Sequence, residues 1–363
     1  MIVYFFLFFF FLLFALFYMH CSDMSGGSAI YVKRYGSIFL FLPFCLLIFL
    51  LGFRYEVGSD YWNYIEIFDR FEAGDPVIRD RFEVGFLAVL EGVSSLGLSG
   101  NFVLFLFYLF TITFFWIAIR GVGFDSASMV SLSVILFLGL GPVFSATNTV
   151  RQNFAISIVV LFCALFSRSK ILSTIPSSAV GFLFHYSAPV ALAFNFVPRK
   201  VLGFRFWGLA SIFCVVLSAL LIGPVFELLE RNHVILGGFG VYFEGDGAVR
   251  ESSGLGVRLI FEVFVFLFLS LFVKRINPKA VWFFNIAFVG ALINYTFRDY
   301  AMFLRVSEYF SVFKVLAIPW FIEVFRGVER QLFFLTFAIY SFFAFARSAT
   351  SEQFLPYKLV FFN

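Results

Sequence analysis

The chain has 363 residues, 62% of them hydrophobic and only 13% charged, with a formal net charge of +4 and 62 phenylalanines. A water-soluble fold of this size carries about 25% charged residues to cover its surface, so water is not the main solvent here. The basic residues of such a chain record membrane topology, and no Lys/Arg cluster makes a nucleic-acid footprint.

Long apolar runs recur along the sequence, each bounded by a charge or by Gly and Pro. They predict spans at 2–19, 36–53, 101–119, 127–147, 151–166, 171–197, 204–222, 257–273, 279–297, 301–325 and 331–346. The segment 82–98 carries Glu83 and Glu91 and reads either as a span or as a helix lying shallowly at the interface. The expectation is an all-α polytopic membrane protein with about 10–12 transmembrane helices in a single multi-pass domain over 1–363. The run Met1–Tyr18 lacks a basic leading region and a small-residue cleavage site, and is read as a retained first span.

Two hydrophilic insertions interrupt the pattern, at about 54–81 and 223–256. The first holds seven acidic residues against four arginines; the second is glycine-rich around Gly237-Gly238-Phe239-Gly240 and acidic at Glu244 and Asp246. Compact basic clusters at Lys33-Arg34, Arg120, Arg168/Lys170, Arg199/Lys200/Arg205, Lys274/Arg275/Lys279 and Arg326/Arg330 look like cytoplasmic turns. They share one side if 82–98 does not fully cross and if 171–197 turns partly back near His185. Both larger loops, with Arg54, Arg151, Arg298 and Arg305, then face the extracytoplasmic side.

The chemistry-bearing residues follow in order. Arg54 ends an uncharged run, and Asp60 stands six residues on among Tyr61, Trp62 and Tyr64. The structural reading is a surface arginine paired with a loop carboxylate, worth ~0–1 kcal/mol. The functional one makes Arg54 a phosphate ligand, Asp60 a base or sugar-hydroxyl acceptor, and the aromatics platforms for sugar faces. Glu83, two residues before Gly85, either caps a helix dipole or serves as a general base beside Asp60.

Arg151-Gln152 opens an apolar helix after Thr147-Asn148-Thr149. Asn148 or Thr149 would cap that helix. An arginine is unfavourable beside a positive helix terminus, but cation and amide groups together suit a phosphate. His185, alone in an apolar run at the proposed helix break, is either a structural histidine or a functional one lining a wet cavity. Arg305 and Tyr309 lie one helical turn apart on one face, with Arg298-Asp299 about two turns earlier. Glu262, four residues after Arg258, looks like an internal ion pair with it.

Four scattered cysteines and three scattered histidines (His20, His185, His233) support neither a disulfide framework nor a metal cluster. No P-loop, GxGxxG, HExxH or GxSxG is present, so the sequence points to no cofactor and no metal.

In order and spacing, Arg54…Gly58…Asp60…Tyr64, Glu83-x-Gly85, Arg151-Gln152-x3-Ile156, His185-x-Ser187-Ala188, Arg305-x3-Tyr309 and Pro356-Tyr357 form one pattern. With it the chain resembles the EpsG-like branch of the Wzy-type polysaccharide polymerases. Phe154-Ala155 departs from the small residues that often follow Arg-Gln, which touches packing more than chemistry.

The resemblance implies a membrane glycosyltransferase in the bacterial cytoplasmic (inner) membrane. It would join undecaprenyl-pyrophosphate-linked oligosaccharide units into O-antigen or exopolysaccharide at the outer face. It also implies membrane lipid, a chain-length regulator and a flippase of the same pathway as partners, and no nucleic acid. Arg54, Arg151 and Arg305 would bind the pyrophosphate, with Tyr64, Gln152 and Tyr309 as further substrate contacts. Asp60, His185 and Glu83 are the candidate bases, and no metal is needed if arginines neutralise the developing charge. The rival readings are an O-antigen ligase-type transferase and a lipid-linked oligosaccharide flippase or transporter. Charges gathered towards one face favour the transferase over the transporter.

Overall fold

The structure is a computed structural model that describes residues 1–24, 29–222, 224 and 255–362. Nearly all of the second hydrophilic insertion, with His233, Gly237–Gly240, Glu244 and Asp246, lies outside the described residues. At Lys33 and Arg34 only the backbone is described.

The described chain is built of helices: α1 (Ile2–Met24), α2 (Ala29–Gly52), α3 (Tyr61–Glu72), α4 (Pro76–Arg81), α5 (Val84–Ser95), α6 (Gly100–Gly121), α7 (Ala127–Leu140), α8 (Ser145–Asn148), α9 (Val150–Leu165), α10 (Lys170–Phe182), α11 (Phe204–Leu217), α12 (Leu255–Ser270), α13 (Pro278–Thr296), α14 (Ala301–Ser311), α15 (Lys314–Ala317) and α16 (Gly327–Ala349). No strand occurs among the described residues, and the protein is an all-α polytopic membrane protein.

Four described helical stretches are long and apolar enough to cross a membrane, at Ile2–Ser22, Gly100–Gly121, Phe204–Ile222 and Gly327–Ala349. Ten to twelve full-length crossings are therefore not reached among the described residues. The apolar runs are interrupted instead. The run 171–197 stops at Phe182 and resumes as a 3-10 segment, Ala188–Asn195; 301–325 is divided between α14, α15 and a 3-10 turn, Ile318–Val324. Broken backbone of this kind is tolerated at membrane depth only where protein covers it or where it lines a water-filled cavity. At 12 residues, α5 spans about 18 Å, too little for the ~30 Å hydrocarbon core.

The first hydrophilic insertion is helical rather than a loop, holding α3 and α4. Asp75 starts α4 by accepting the Val77 N–H at 2.9 Å, with Pro76 at the first helical position, where its missing N–H costs nothing. Arg70 donates to the same carboxylate at 2.7 Å and holds its pKa below the usual carboxylate range.

The chain forms two compact units, Met1–Asn195 with Phe325–Asn363, and Phe196–Val324. In the first, α1, α7 and α16 pack where small residues permit close approach. A Cβ on Gly139 would run into the Ser341 carbonyl oxygen, and Ser131 Oγ donates across to the Ala15 carbonyl at 2.9 Å. Buried Phe86, Phe107 and Phe154 form the core beneath α3 and α5.

In the second unit, Trp207 stacks on Phe288 at 4.2 Å, and α13 folds against α14 where a Cβ on Gly290 would meet the Ser311 nitrogen at 2.5 Å. Glu262 takes Lys314 as its ion-pair partner, at 2.9 Å, with both side chains buried. That partner lies on a different helix, which no spacing along one helix discloses.

Candidate functional site

The site is assembled around the start of α9. Arg54 is 1% exposed and points inward. Its guanidinium donates to the backbone carbonyls of Val57 (3.0 Å), Leu51 (3.0 Å) and Thr147 (2.7 Å). Arginine has five donors in a rigid fork and three are spent on main chain, so this side chain clamps the end of α2 to the turn before α9. The surface-pair reading of Arg54 with Asp60 does not describe it.

Gly58 continues the clamp. With φ at +99° it occupies the left-handed region that favours glycine, and an added Cβ would lie 2.5 Å from Asn148 Oδ1. The Gly58 N–H reaches the Gln353 carbonyl at 2.8 Å, and the Ser59 N–H reaches Asn148 Oδ1 at 3.0 Å. Asn148 Nδ2 donates in turn to Gln353 Oε1 at 3.0 Å. Asn148 thus anchors the 58–59 turn instead of capping α9, and Thr149, which occupies the cap position, makes no side-chain cap bond.

The C-terminal segment closes this base. The Tyr55 N–H bonds the Lys358 carbonyl at 2.9 Å, the Val360 N–H bonds the Phe53 carbonyl at 3.0 Å, and Tyr357 Oη donates to the Leu50 carbonyl at 2.8 Å. The Pro356-Tyr357 motif is accounted for by this contact.

On that base stands the aromatic patch. Asp60 is half-buried at the start of α3, with Ser59 Oγ 3.5 Å from its Oδ1. Tyr61 is 1% exposed and donates to Asn101 Oδ1; burial pushes its hydroxyl up to about 12, which removes it as a base at neutral pH. Trp62 is 54% exposed, while Tyr64 packs edge-on to Phe86.

Arg151 is fixed from three sides. Its Nη1 donates to Glu83 Oε2, and its guanidinium lies 4.7 Å from the Phe82 ring centre and 5.2 Å from that of Phe86. Glu83 is buried at 3% exposure and its carboxylate turns away from the helix it opens, making no cap bond to α5. It supplies the negative charge that an arginine beside a positive helix end requires. Its other oxygen accepts the Tyr186 N–H at 3.2 Å.

That bond draws in the break in 171–197. The Gly85 N–H bonds the Leu183 carbonyl at 2.7 Å, and a Cβ on Gly85 would lie 2.6 Å from that oxygen. The Glu83-x-Gly85 pattern is thereby explained: a carboxylate and a bare α-carbon receive the tip that carries His185. The 3-10 segment then runs back along α10, with Lys170 Nζ bonded to the Asn195 carbonyl at 2.9 Å and Asn195 Nδ2 to Thr174 Oγ1 at 2.8 Å. His185 is half-buried at the tip, its Nδ1 2.6 Å from Ser187 Oγ. Phe184 seats the tip on Phe154 with ring centres 4.7 Å apart, which gives the Phe154 departure a packing role.

Gln152 is buried at 2% exposure on α9. Arg305 and Tyr309 belong to the second unit, on α14, where Arg305 is exposed and Tyr309 fully buried. Arg298 and Asp299 sit in the turn between α13 and α14, 3.6 Å apart. The structure therefore gathers Arg54, Asp60, Tyr64, Glu83, Arg151 and His185 into one continuous network of the first unit. Asn148 and Gln353, which knit that network, were not singled out as site residues from sequence; Asn148 stood out only as a cap.

Among known proteins, the sequence model of the EpsG family matches residues 37–359, which spans every motif above. No curated protein and no solved structure matches the chain.

Proposed function

The chain belongs to the EpsG family, and on that premise we propose that it polymerises lipid-linked oligosaccharide repeat units into a surface polysaccharide. Membership supports a polysaccharide-polymerase role in general. The finer reading is a transferase that uses an undecaprenyl-pyrophosphate-linked donor at the outer face of the bacterial inner membrane. The observation that carries it is Arg151: a guanidinium at the start of an apolar helix, aligned by Glu83 and held between Phe82 and Phe86.

In this reading Arg151 meets the pyrophosphate leaving group, whose growing negative charge a preorganised cation stabilises in the transition state. Glu83 orients that cation. Asp60, at the edge of the exposed aromatic patch, takes the proton of the attacking sugar hydroxyl. Trp62 and Tyr64 line the sugar path, and the lipid tail lies along exposed apolar helix faces. Arg54, turned inward, is a positioning residue that holds the 55–60 turn on residues 147–148.

The test is deletion of the gene followed by gel analysis of surface polysaccharide. Loss of the long-chain ladder with one repeat unit retained supports a polymerase. Polymer left on the carrier lipid with no capped product means a ligase. Loss of both, with donor accumulating on the inner leaflet, means a flippase.

A further inference from the structure

Of the five tryptophans, four are wholly or partly covered and Trp62 alone is exposed. It stands on α3, whose other outward residues are polar: Asn63, Glu66, Asp69, Arg70 and Glu72. Charges at that density keep this face out of the hydrocarbon core, so acyl chains do not cover the ring.

The ring is also held. Tyr61 meets it edge-on at 5.2 Å and Tyr55 at 6.2 Å, and those two rings brace each other at 5.8 Å. Tyr61 is buried and bonded to Asn101, and the Tyr55 N–H is bonded to the Lys358 carbonyl. Anchored partners thus fix the edge of the indole while much of the residue stays open. A ring kept both rigid and bare is preorganised for a flat apolar partner, with little ordering left to pay on binding.

Its surroundings limit what that partner is. Glu66 and Asp69 follow Trp62 by four and seven residues, on one face of α3, and both are exposed. Arg70 gives its close contacts to Asp75, at 2.9 Å and 2.7 Å, and reaches Glu66 only at 3.7 Å. The Glu66 carboxylate therefore keeps acceptor capacity for a hydroxyl or an ammonium group.

We propose that Trp62 is a fixed stacking platform for one pyranose ring of the saccharide, with Glu66 accepting from a group at its edge. The C–H face of the sugar meets the negative face of the indole. Two carboxylates along the same stripe repel an acidic sugar, so the seated residue is neutral or amine-bearing and not a uronate. The proposal rests on the polymerase reading for the saccharide being the substrate.

The test has a binding arm and an activity arm. Protein labelled with 5-fluorotryptophan in a lipid nanodisc has five fluorinated sites, and the Trp62 ¹⁹F signal is the one lost in Trp62→Phe. Stacking reads the C–H face rather than one hydroxyl pattern, so methyl β-glucoside and methyl β-glucuronide serve as probes matched in shape and differing in charge. The glucoside is expected to shift the Trp62 signal at concentrations where the glucuronide does not. No shift with either probe, or equal shifts with both, overturns the proposal.

In a purified polymerisation assay with lipid-linked donor, Trp62→Phe keeps a ring and Trp62→Leu keeps only apolar volume. Trp62→Leu is expected to raise KM about tenfold with kcat and Tm near wild type, and Trp62→Phe to raise it less. An unchanged KM in Trp62→Leu, with the Trp62 signal broadened by headgroup-spin-labelled lipid, makes the ring an interfacial anchor and overturns the proposal. A fall in Tm that accounts for the lost activity makes it a fold element and does the same. If wild type itself forms no polymer while the glucoside still shifts the signal, the polymerase reading fails and the platform stands.

Discussion

Three arginines of similar appearance in the sequence have different employments. Arg54 is fully covered and bound to main chain, Arg151 is held by one carboxylate and two rings, and Arg305 is exposed on α14. Their substitutions therefore separate. Arg151→Lys keeps the charge but loses the planar fork, and Arg151→Ala loses both. Each is expected to lower chain extension by ~10²-fold or more at normal protein level, since aligned charge acts in the transition state. Full activity of Arg151→Ala in a ladder assay would make it a structural cation. Arg54→Ala leaves buried carbonyls without donors and is expected to act first on folding, reducing the detergent-purified yield and Tm. Arg54→Ala at normal yield and Tm, with activity alone lost, would restore it to the substrate.

In the proposed mechanism Asp60 is the base. Asp60→Asn conserves size and hydrogen bonding but accepts no proton at neutral pH. The expected result is a ~10²–10⁴-fold loss of polymerisation with lipid-linked donor still bound. An Asp60→Asn enzyme with most of its rate, read in the purified assay, would move the base elsewhere.

At the scale of elements, the fold depends on close approaches that admit no side chain. The α5 start receives the 183–187 tip at Gly85, where a Cβ would press on a main-chain oxygen that cannot swing aside. Gly85→Ala is expected to lift the tip from Glu83, lowering Tm by overpacking worth about 1–3 kcal/mol and exposing the tip to protease. Unchanged Tm together with unchanged proteolysis between Phe182 and Ala188 would show that the tip docks without this contact. The α8–α9 turn is the counterpart on the other side: Arg54 and Ser59 grip Thr147 and Asn148 while Gly58 leaves room for Asn148, so the aromatic patch and Arg151 are carried by one piece of backbone.

At the scale of the whole molecule, the basic turns set against the acidic insertion are the basis for proposing that the site faces the extracytoplasmic side, and cysteine labelling tests that directly. Cysteines at Ser59 and Gly247 (the latter outside the described residues) should label with an impermeant thiol reagent in intact cells or spheroplasts. One at Lys200 should label only after lysis. Labelling of Lys200→Cys from outside would reverse the orientation and remove the catalytic face from the compartment where polymer forms.

Composition and apolar runs were enough to determine an all-α polytopic membrane protein, because a bilayer admits only helices and closed barrels. Continuous apolar runs of about 20 residues suit the helix, not the alternating pattern of a barrel strand. The order of motifs was enough to point to the family, while the close approaches at Gly58 and Gly85 appeared only in the structure. Only the tertiary structure decided what each charge does. Whether an arginine meets a ligand or three carbonyls depends on chain that lies 93 residues away, as Thr147 does from Arg54. Glu83 met Arg151 across 68 residues and Tyr186 across 103, and Glu262 took Lys314 as a partner across 52 in addition to the charge of Arg258 on its own helix. Helical periodicity reports neighbours within a turn or two, whereas charge pairing in an apolar medium is settled by whichever partner packing brings within reach. For the same reason the run 301–325 read as a single span, and the break near His185 in 171–197 was legible in the sequence while its docking on Glu83 and Gly85 was not.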